Sequence, residues 1–247
     1  MLLLCAATRT EHDACAEGLR DAGPEASGRF ELLLVGVGPA RAGRSLRARL
    51  AKEAAPRRVI STGFAGALVE GVPLGAWVEG ETLSEWTNGA RVAMAAPRAL
   101  SVSSALFPRI ACDVVSADHL VGRDSPLRAP GASGVSGAPG APGVRPLVAD
   151  MESAALAREA GARGIPCSIV RLVSDTPEHP LPEFLAPFTA AMAGDGARGR
   201  LGLVARGVGS ALTDPRGVAR LLGEGRSWTK KLRDGVGTLA RALASLD

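Results

Sequence analysis

Along residues 1–192, short apolar runs bounded by glycine and proline alternate with segments whose apolar positions recur every three or four residues. The runs predict strands at Leu2–Ala7, Glu31–Val37, Arg58–Thr62, Ala76–Thr82, Arg91–Ala95, Ile110–Ala117 and Cys167–Ser174. The periodic segments predict helices over Thr10–Asp21, Pro39–Ala54, Met151–Ala162 and Pro182–Met192. Strands alternating with helices need crossover connections, so the expected fold is α/β: a single-domain mixed, largely parallel sheet flanked by helices. Residues 1–195 form this domain in the predicted organisation, and 196–247 form a basic helical C-terminal extension.

The last predicted helix has the clearest pattern. After Ser227 as N-cap, Trp228, Leu232, Val236, Leu239 and Leu243 recur at spacings of four, four, three and four. Lys230, Lys231, Arg233 and Arg241 lie mostly off that face. Such a face either packs on the domain or lies on a membrane surface, and Asp214-Pro215 marks a boundary before it. Between Pro126 and Pro146 the chain is nearly all Ala, Gly, Ser and Pro, with Gly131, Gly134, Gly137, Gly140 and Gly143 at every third position. That is too short for a collagen-type helix, and the stretch reads as a flexible surface loop, either a lid or a disordered insertion.

Composition narrows the function classes. With 247 residues and 46% hydrophobic content, the chain can bury a large core, which excludes a disordered tail or a disulfide-stapled miniprotein. Cys5, Cys15, Cys112 and Cys167 form no CxxC pair, and only three histidines occur, so neither a metal site nor a disulfide framework is expected. A reducing cytoplasm fits this usage, and the opening "MLLLCAA" reads as a buried strand rather than a signal peptide or a span. The net charge of +4 is uneven: residues 197–247 hold ten Lys/Arg against four Asp/Glu, a net of +6, which leaves −2 for the rest. These cations either solvate the tail or draw its helices to the inner membrane surface. Aromatic residues at 3% give no stacking platform, so no nucleic-acid partner is expected.

Four stretches carry possible chemistry. In "VADMESAAL" (148–156) an acidic pair stands where an apolar run turns helical; Asp150 as N-cap and Glu152 in the first turn would together stabilise a helix start by about 1 kcal/mol. The other reading turns one of the acids toward a ligand. "LLLVGVGPARAG" places Gly36 and Gly38 after a strand, but Arg41 stands where a dinucleotide fingerprint needs its third glycine, so a tight turn suffices and no dinucleotide cofactor is expected. "STGFAGAL" (61–68) is a second glycine-rich strand end, around Gly63, that would let a ligand approach backbone amides. "RLVSDT" (171–176) sets Ser174 and Asp175 at the C-terminal end of a buried strand, where ligands of open α/β sheets usually bind.

Taken in order, "AATRTE", "GVGPARA", "VISTGFAGAL…GVPLGAWV", "VVSADHLV" and "ADMESAALAREAGARGIPCSIVRLVSD" resemble the nucleoside phosphorylase and nucleosidase family, in particular the branch that hydrolyses methylthioadenosine and adenosylhomocysteine. The resemblance covers residues 1–178 apart from the Gly/Pro stretch. It implies a cofactor-free purine N-glycosidase, with homodimerisation as an inherited expectation. Asp175 would protonate the purine's imidazole-ring nitrogen, oriented by Ser174, a task that needs a carboxyl kept protonated by burial. Glu152 would accept hydrogen bonds from both ribose hydroxyls with Met151 packed on the sugar, and Glu11 would activate or orient the attacking water. Arg171 and Asp150 would support the site, and backbone groups near Leu120 and Val121 would read the purine edge.

The chain departs from the family pattern in three places. Phe64 stands where hydrolases of this branch carry Ser, and Ser61 where phosphorylases carry Arg, which favours hydrolysis over phosphorolysis unless Arg9 or Arg41 substitutes. Leu120 replaces a base-stacking aromatic, leaving His119 open between a loop residue and a base contact. The tail, "DGARGRLGLVARGVGSALTDPRGVARLL…LRDGVGTLARAL", resembles the extension of hopanoid-associated members, which implies release of adenine from adenosylhopane. Futalosine hydrolase offers the same chemistry. A catalytically silent nucleoside- or lipid-binding protein is the alternative from another class.

Overall fold

The computed structural model describes residues 1–52, 54–122, 125–128, 145–193 and 197–245, with main chain only at 128 and 197–201. Among these residues nine strands form one sheet: β1 (Leu2–Ala6), β2 (Phe30–Leu34), β3 (Arg58–Ser61), β4 (Phe64–Ala67), β5 (Trp77–Thr87), β6 (Ala90–Ala93), β7 (Ile110–Ala117), β8 (Leu147–Asp150) and β9 (Cys167–Asp175). Their order is β2-β1-β3-β9-β4-β8-β7-β5-β6, and β5 also pairs back onto β9. Strands β9, β4, β8, β7 and β5 therefore close into a five-stranded barrel, with β2-β1-β3 as a wing. The mixed α/β expectation holds in outline, but the barrel was not predicted, and the pairs β4–β8, β5–β6 and β5–β9 are antiparallel.

Closure depends on how β5 bends. Its first residues, Trp77, Val78 and Glu79, pair with Leu172, Arg171 and Val170 of β9, and its register against β7 shifts between Gly80 and Thr82. A side chain at Gly80 would run into Val114 and Ile169, so glycine is what lets three strands converge there. Beyond Thr82, where the predicted strand ended, β5 continues into a hairpin with β6. Asn88 and Gly89 turn that hairpin, both with positive φ, the usual Asn-Gly hairpin chemistry. The predicted strands also omit β4 and β8, of four residues each, which are held by their sheet neighbours rather than by propensity.

Among the described residues, seven α-helices surround the sheet: α1 (Arg9–Asp21), α2 (Pro24–Ser27), α3 (Pro39–Lys52), α4 (Ser153–Gly161), α5 (Leu185–Ala193), α6 (Ala197–Thr213) and α7 (Pro215–Ala244). Residues 129–144 of the Gly/Pro-rich stretch lie outside the described residues; its edge does not behave as a surface loop, because Leu127 is buried beside Val115 and Leu147.

The predicted start of the last helix is corrected. Asp214 is the N-cap, accepting from Gly217 N at 2.8 Å, Pro215 is the first helical residue, and Ser227 lies in the interior of a 30-residue helix. Leu232, Val236 and Leu239 are buried in the main core with Leu4, Cys15, Ile60 and Phe107, and Trp228 is buried too, so this face packs on the sheet and is closed to any membrane. Gly18 of α1 and Gly237 of α7 bring the two helices to backbone contact, and Arg233 bridges Glu17 and Asp21 across the crossing.

A side chain at Gly18 would meet the carbonyl of Arg233. Gly18→Val is expected to destabilise the fold by about 1–3 kcal/mol, whereas Ser227→Ala should change it by less than about 0.5 kcal/mol. Denaturant unfolding of the two variants checks both values.

Candidate active site

Strand β9 ends on Ser174 and Asp175, both buried, with the Ser174 hydroxyl 3.0 Å from Asp175 Oδ1 and 3.4 Å from the Ala65 carbonyl. Gly66 of β4 lies against the Asp175 carboxylate, and any Cβ there would collide with it. The register shift between Ala65 and Gly66 falls at the same point, so the bulge and the missing side chain together make room for the acid.

The acidic pair of "VADMESAAL" divides. Asp150 is the last residue of β8 rather than the helix cap; Ser116 Oγ donates to its Oδ1 at 2.7 Å, Ser153 N at 3.3 Å, and the Ser153 hydroxyl to Oδ2. Glu152 occupies the N-cap position by backbone but makes no capping bond. Its Oε1 instead accepts from Gly38 N at 2.9 Å, where the Gly36–Gly38 turn crosses the end of β8. Burial pushes the Glu152 carboxyl up to about 7; Arg171 and the Gly38 amide oppose the shift, while Asp150 and Glu11 add to it.

Glu11 is likewise held on both sides. Thr8 and Glu11 form a capping box at the start of α1: Thr8 N and Oγ1 donate to Glu11 Oε2 at 2.7 and 2.9 Å. The other oxygen accepts from Phe64 N at 2.8 Å. Gly63, with φ of 122°, passes so close to Glu11 and Arg171 that a side chain would strike the carboxylate. Arg171, on β9 and fully buried, donates from Nη1 to the Thr62 carbonyl at 2.9 Å and from Nη2 to Ser61 Oγ at 2.8 Å, and it pairs with Asp150 at 2.6 Å. Glu152 Oε2 lies 3.8 Å away.

These residues surround a cavity of about 170 Å³. Glu11, Asp150, Glu152 and Asp175 supply four carboxylates to its wall, with Ser174 beside Asp175; Phe64, Leu120, Val121 and Met151 supply apolar surface. Among the predicted site residues, Gly63 and Arg171 are the two that do not line it; the first makes room for Glu11 and the second holds the acids from behind. Leu181, Thr189 and Met192 also line the cavity, and none of them is among the predicted site residues. His119 reaches it too, with its ring 2.6 Å from Asp118. No lysine or arginine is among the described residues lining the cavity.

Among the described residues, no group of three or more His, Cys, Asp and Glu is arranged to hold a metal. The four cysteines are buried and unbridged, and burial pushes the Cys167 thiol up to about 12, which leaves it unreactive near neutrality.

No protein-family model matches the chain, and no curated protein does. Solved structures do. A 5′-methylthioadenosine/S-adenosylhomocysteine nucleosidase from Neisseria meningitidis, in complex with methylthio-immucillin-A, is 18% identical over 99% of each chain with a TM-score of 0.59. A putative nucleosidase of the same description from Borrelia burgdorferi, bound to adenine, is 12% identical over the whole of both chains with a TM-score of 0.58. The S. pneumoniae nucleosidase with a transition-state inhibitor is 20% identical over 83% of this chain and 97% of that one, with a TM-score of 0.53. The chain thus has the nucleoside phosphorylase/nucleosidase-like fold that its motifs resemble.

Glu152 ionises near pH 7 in the fold, against an ordinary value of 4.5. Between those values the folded state binds the proton more tightly, so the stability this group contributes is full below about pH 4.5 and is lost as the pH rises through 7. Glu152→Gln removes that titration. The variant is expected to gain on wild type by on the order of 2–3 kcal/mol between about pH 5 and about pH 8, measured by denaturant unfolding across that range. A difference that stays constant with pH would contradict the assignment.

Proposed function

We propose that the protein is a purine nucleosidase that hydrolyses the N-glycosidic bond of an adenosyl compound and releases adenine. The observation that carries this reading is the convergence of the Ser174–Asp175 strand end and Glu152 on one largely apolar cavity. The fold is shared with nucleosidases whose structures hold adenine or methylthio-immucillin-A, which supports the same chemistry here.

In the proposed reaction the Asp175 carboxyl gives its proton to the imidazole-ring nitrogen of the purine as the C–N bond breaks, so the base leaves neutral and takes the bonding electron pair. The Ser174 hydroxyl, 3.0 Å from Asp175 Oδ1, keeps that carboxyl aimed. Positive charge develops on the ribose, and the Glu152 carboxylate, accepting from the sugar hydroxyls, binds that state more tightly than the ground state. Met151, on the cavity wall beside Glu152, gives the sugar an apolar face. Water adds to the anomeric carbon and gives its proton to the Glu11 carboxylate, and exchange of that proton through solvent restores the Asp175 carboxyl. Glu11 is placed to orient the water, because three donors fix its carboxylate while lone-pair capacity remains toward the cavity.

Hydrolysis fits better than phosphorolysis. The described lining residues include acidic side chains and no lysine or arginine to hold a phosphate nucleophile. The apolar wall built by Phe64, Leu120, Leu181 and Met192 suits an adenosyl compound whose 5′ substituent is itself apolar. Methylthioadenosine, adenosylhomocysteine, futalosine and the lipid adenosylhopane are the candidates, the last giving a role in hopanoid biosynthesis, and a homodimer is the expected assembly.

Chromatographic detection of free purine from these four substrates, with and without phosphate, tests the reading. Release without phosphate is expected, and Asp175→Asn should lower kcat/KM by at least about 100-fold while the protein stays folded. Release that requires phosphate would make the enzyme a phosphorylase. Thermal stabilisation by the nucleosides with no purine released would make it a binding protein.

A further inference from the structure

Helices α6 and α7, joined through Asp214, expose an apolar surface that the other described residues leave uncovered. On one side α6 packs against α5, where Gly207 lies so close to Phe188 that a Cβ would collide with the ring. On another flank Val204, Val208 and Leu212 follow one another at four-residue intervals, all exposed, with Leu212 keeping 78% of its surface open. Single exposed aliphatics are ordinary on a protein surface, but three in register along one helix form a stripe. Residues 197–223 carry five arginines and one acid, a net of +4. That acid, Asp214, is engaged as the N-cap of α7 and accepts from Gly217 N at 2.8 Å.

Helix α6 is linked to the cavity wall through α5. Helix α5, which carries α6 on Phe188, lines the cavity with Thr189 and Met192. Arg220 near the start of α7 donates to the Pro180 carbonyl at 2.7 Å, next to Leu181 on the cavity wall.

We propose that this helix pair docks on an anionic lipid bilayer, sinking Val204, Val208 and Leu212 into the headgroup boundary while the net positive charge of the segment draws it to the lipid phosphates. Aliphatic side chains in a segment of one charge sign fit a surface that is at once apolar and negative, and a bilayer rich in anionic lipid is both. A second copy of the chain fits less well, because a two-fold axis through the stripe would set the same +4 segment against itself. Nucleic acid would leave the aliphatic row without a partner, and the stripe offers no aromatic ring for base stacking. The proposal does not depend on the reaction assigned to the cavity.

Co-sedimentation of the full-length protein with phosphatidylcholine vesicles, with and without phosphatidylglycerol, tests it. Binding is expected to be at least about tenfold stronger when the anionic lipid is present and to weaken as salt is raised. The Val208→Asp/Leu212→Asp variant should lose about tenfold or more in vesicle affinity while its melting temperature stays at the wild-type value, since both side chains are exposed. Equal affinity for the two vesicle types, or a variant that binds as wild type does, would overturn the proposal. So would an absence of vesicle binding in a protein that sediments as a dimer and becomes monomeric in the variant, or one that binds only an oligonucleotide.

Discussion

A guanidinium sealed inside the sheet governs the arrangement of the site. Arg171 is 1% exposed in the middle of β9, and a buried cation without partners would cost several kcal/mol. Burial opposes its charge, but Asp150, Glu152 and Glu11 outweigh that cost and hold its pKa above the ordinary value. To satisfy it, the ends of β3 and β8 and the start of α4 converge through Ser61, Thr62, Asp150 and Ser153. Glu152, two residues beyond Asp150, is carried to the cavity wall by the same convergence.

The consequence is an acid-rich cavity with its cation behind the wall. Arg171 engages Asp150 directly at 2.6 Å but reaches Glu152 only at 3.8 Å, so Glu152 is under-compensated and shares its proton near neutrality. A carboxylate in that state gains from any ligand that donates hydrogen bonds to it, as a ribose diol does. Asp175, by contrast, is placed by glycine: the bulge at Gly66 leaves space for an acid at the end of an otherwise apolar strand.

Much of this was legible in the sequence, for reasons that differ by element. Ile110–Ala117 matches β7 residue for residue, because a strand buried over its last six residues between two parallel neighbours, with only Asp113 partly open, reads as a bounded, largely apolar run. Strands β4 and β8 were not legible: "FAGA" and "LVAD" are short and become strands only through partners far along the chain. Barrel closure was hidden for a similar reason, since Gly80 gives no local sign that two strands will press on it. Two signals were present but unused. Asn88-Gly89 marks the β5–β6 hairpin, and Thr8 with Glu11 spells a capping box, so Glu11 has a structural duty beside the one its family resemblance implies. Leu181, Thr189 and Met192 follow the last shared motif, and only the return of the chain over the cavity brings them to the site.

The central claim, that Glu152 is held half-protonated to receive a ribose, is tested most directly by calorimetric titration of methylthioadenosine into Asp175→Asn protein, in buffers of different ionisation enthalpy near pH 7. Binding should release about half a proton, and that release should disappear in Asp175→Asn/Glu152→Gln. Binding with no proton release, or with the same release in both proteins, would contradict it.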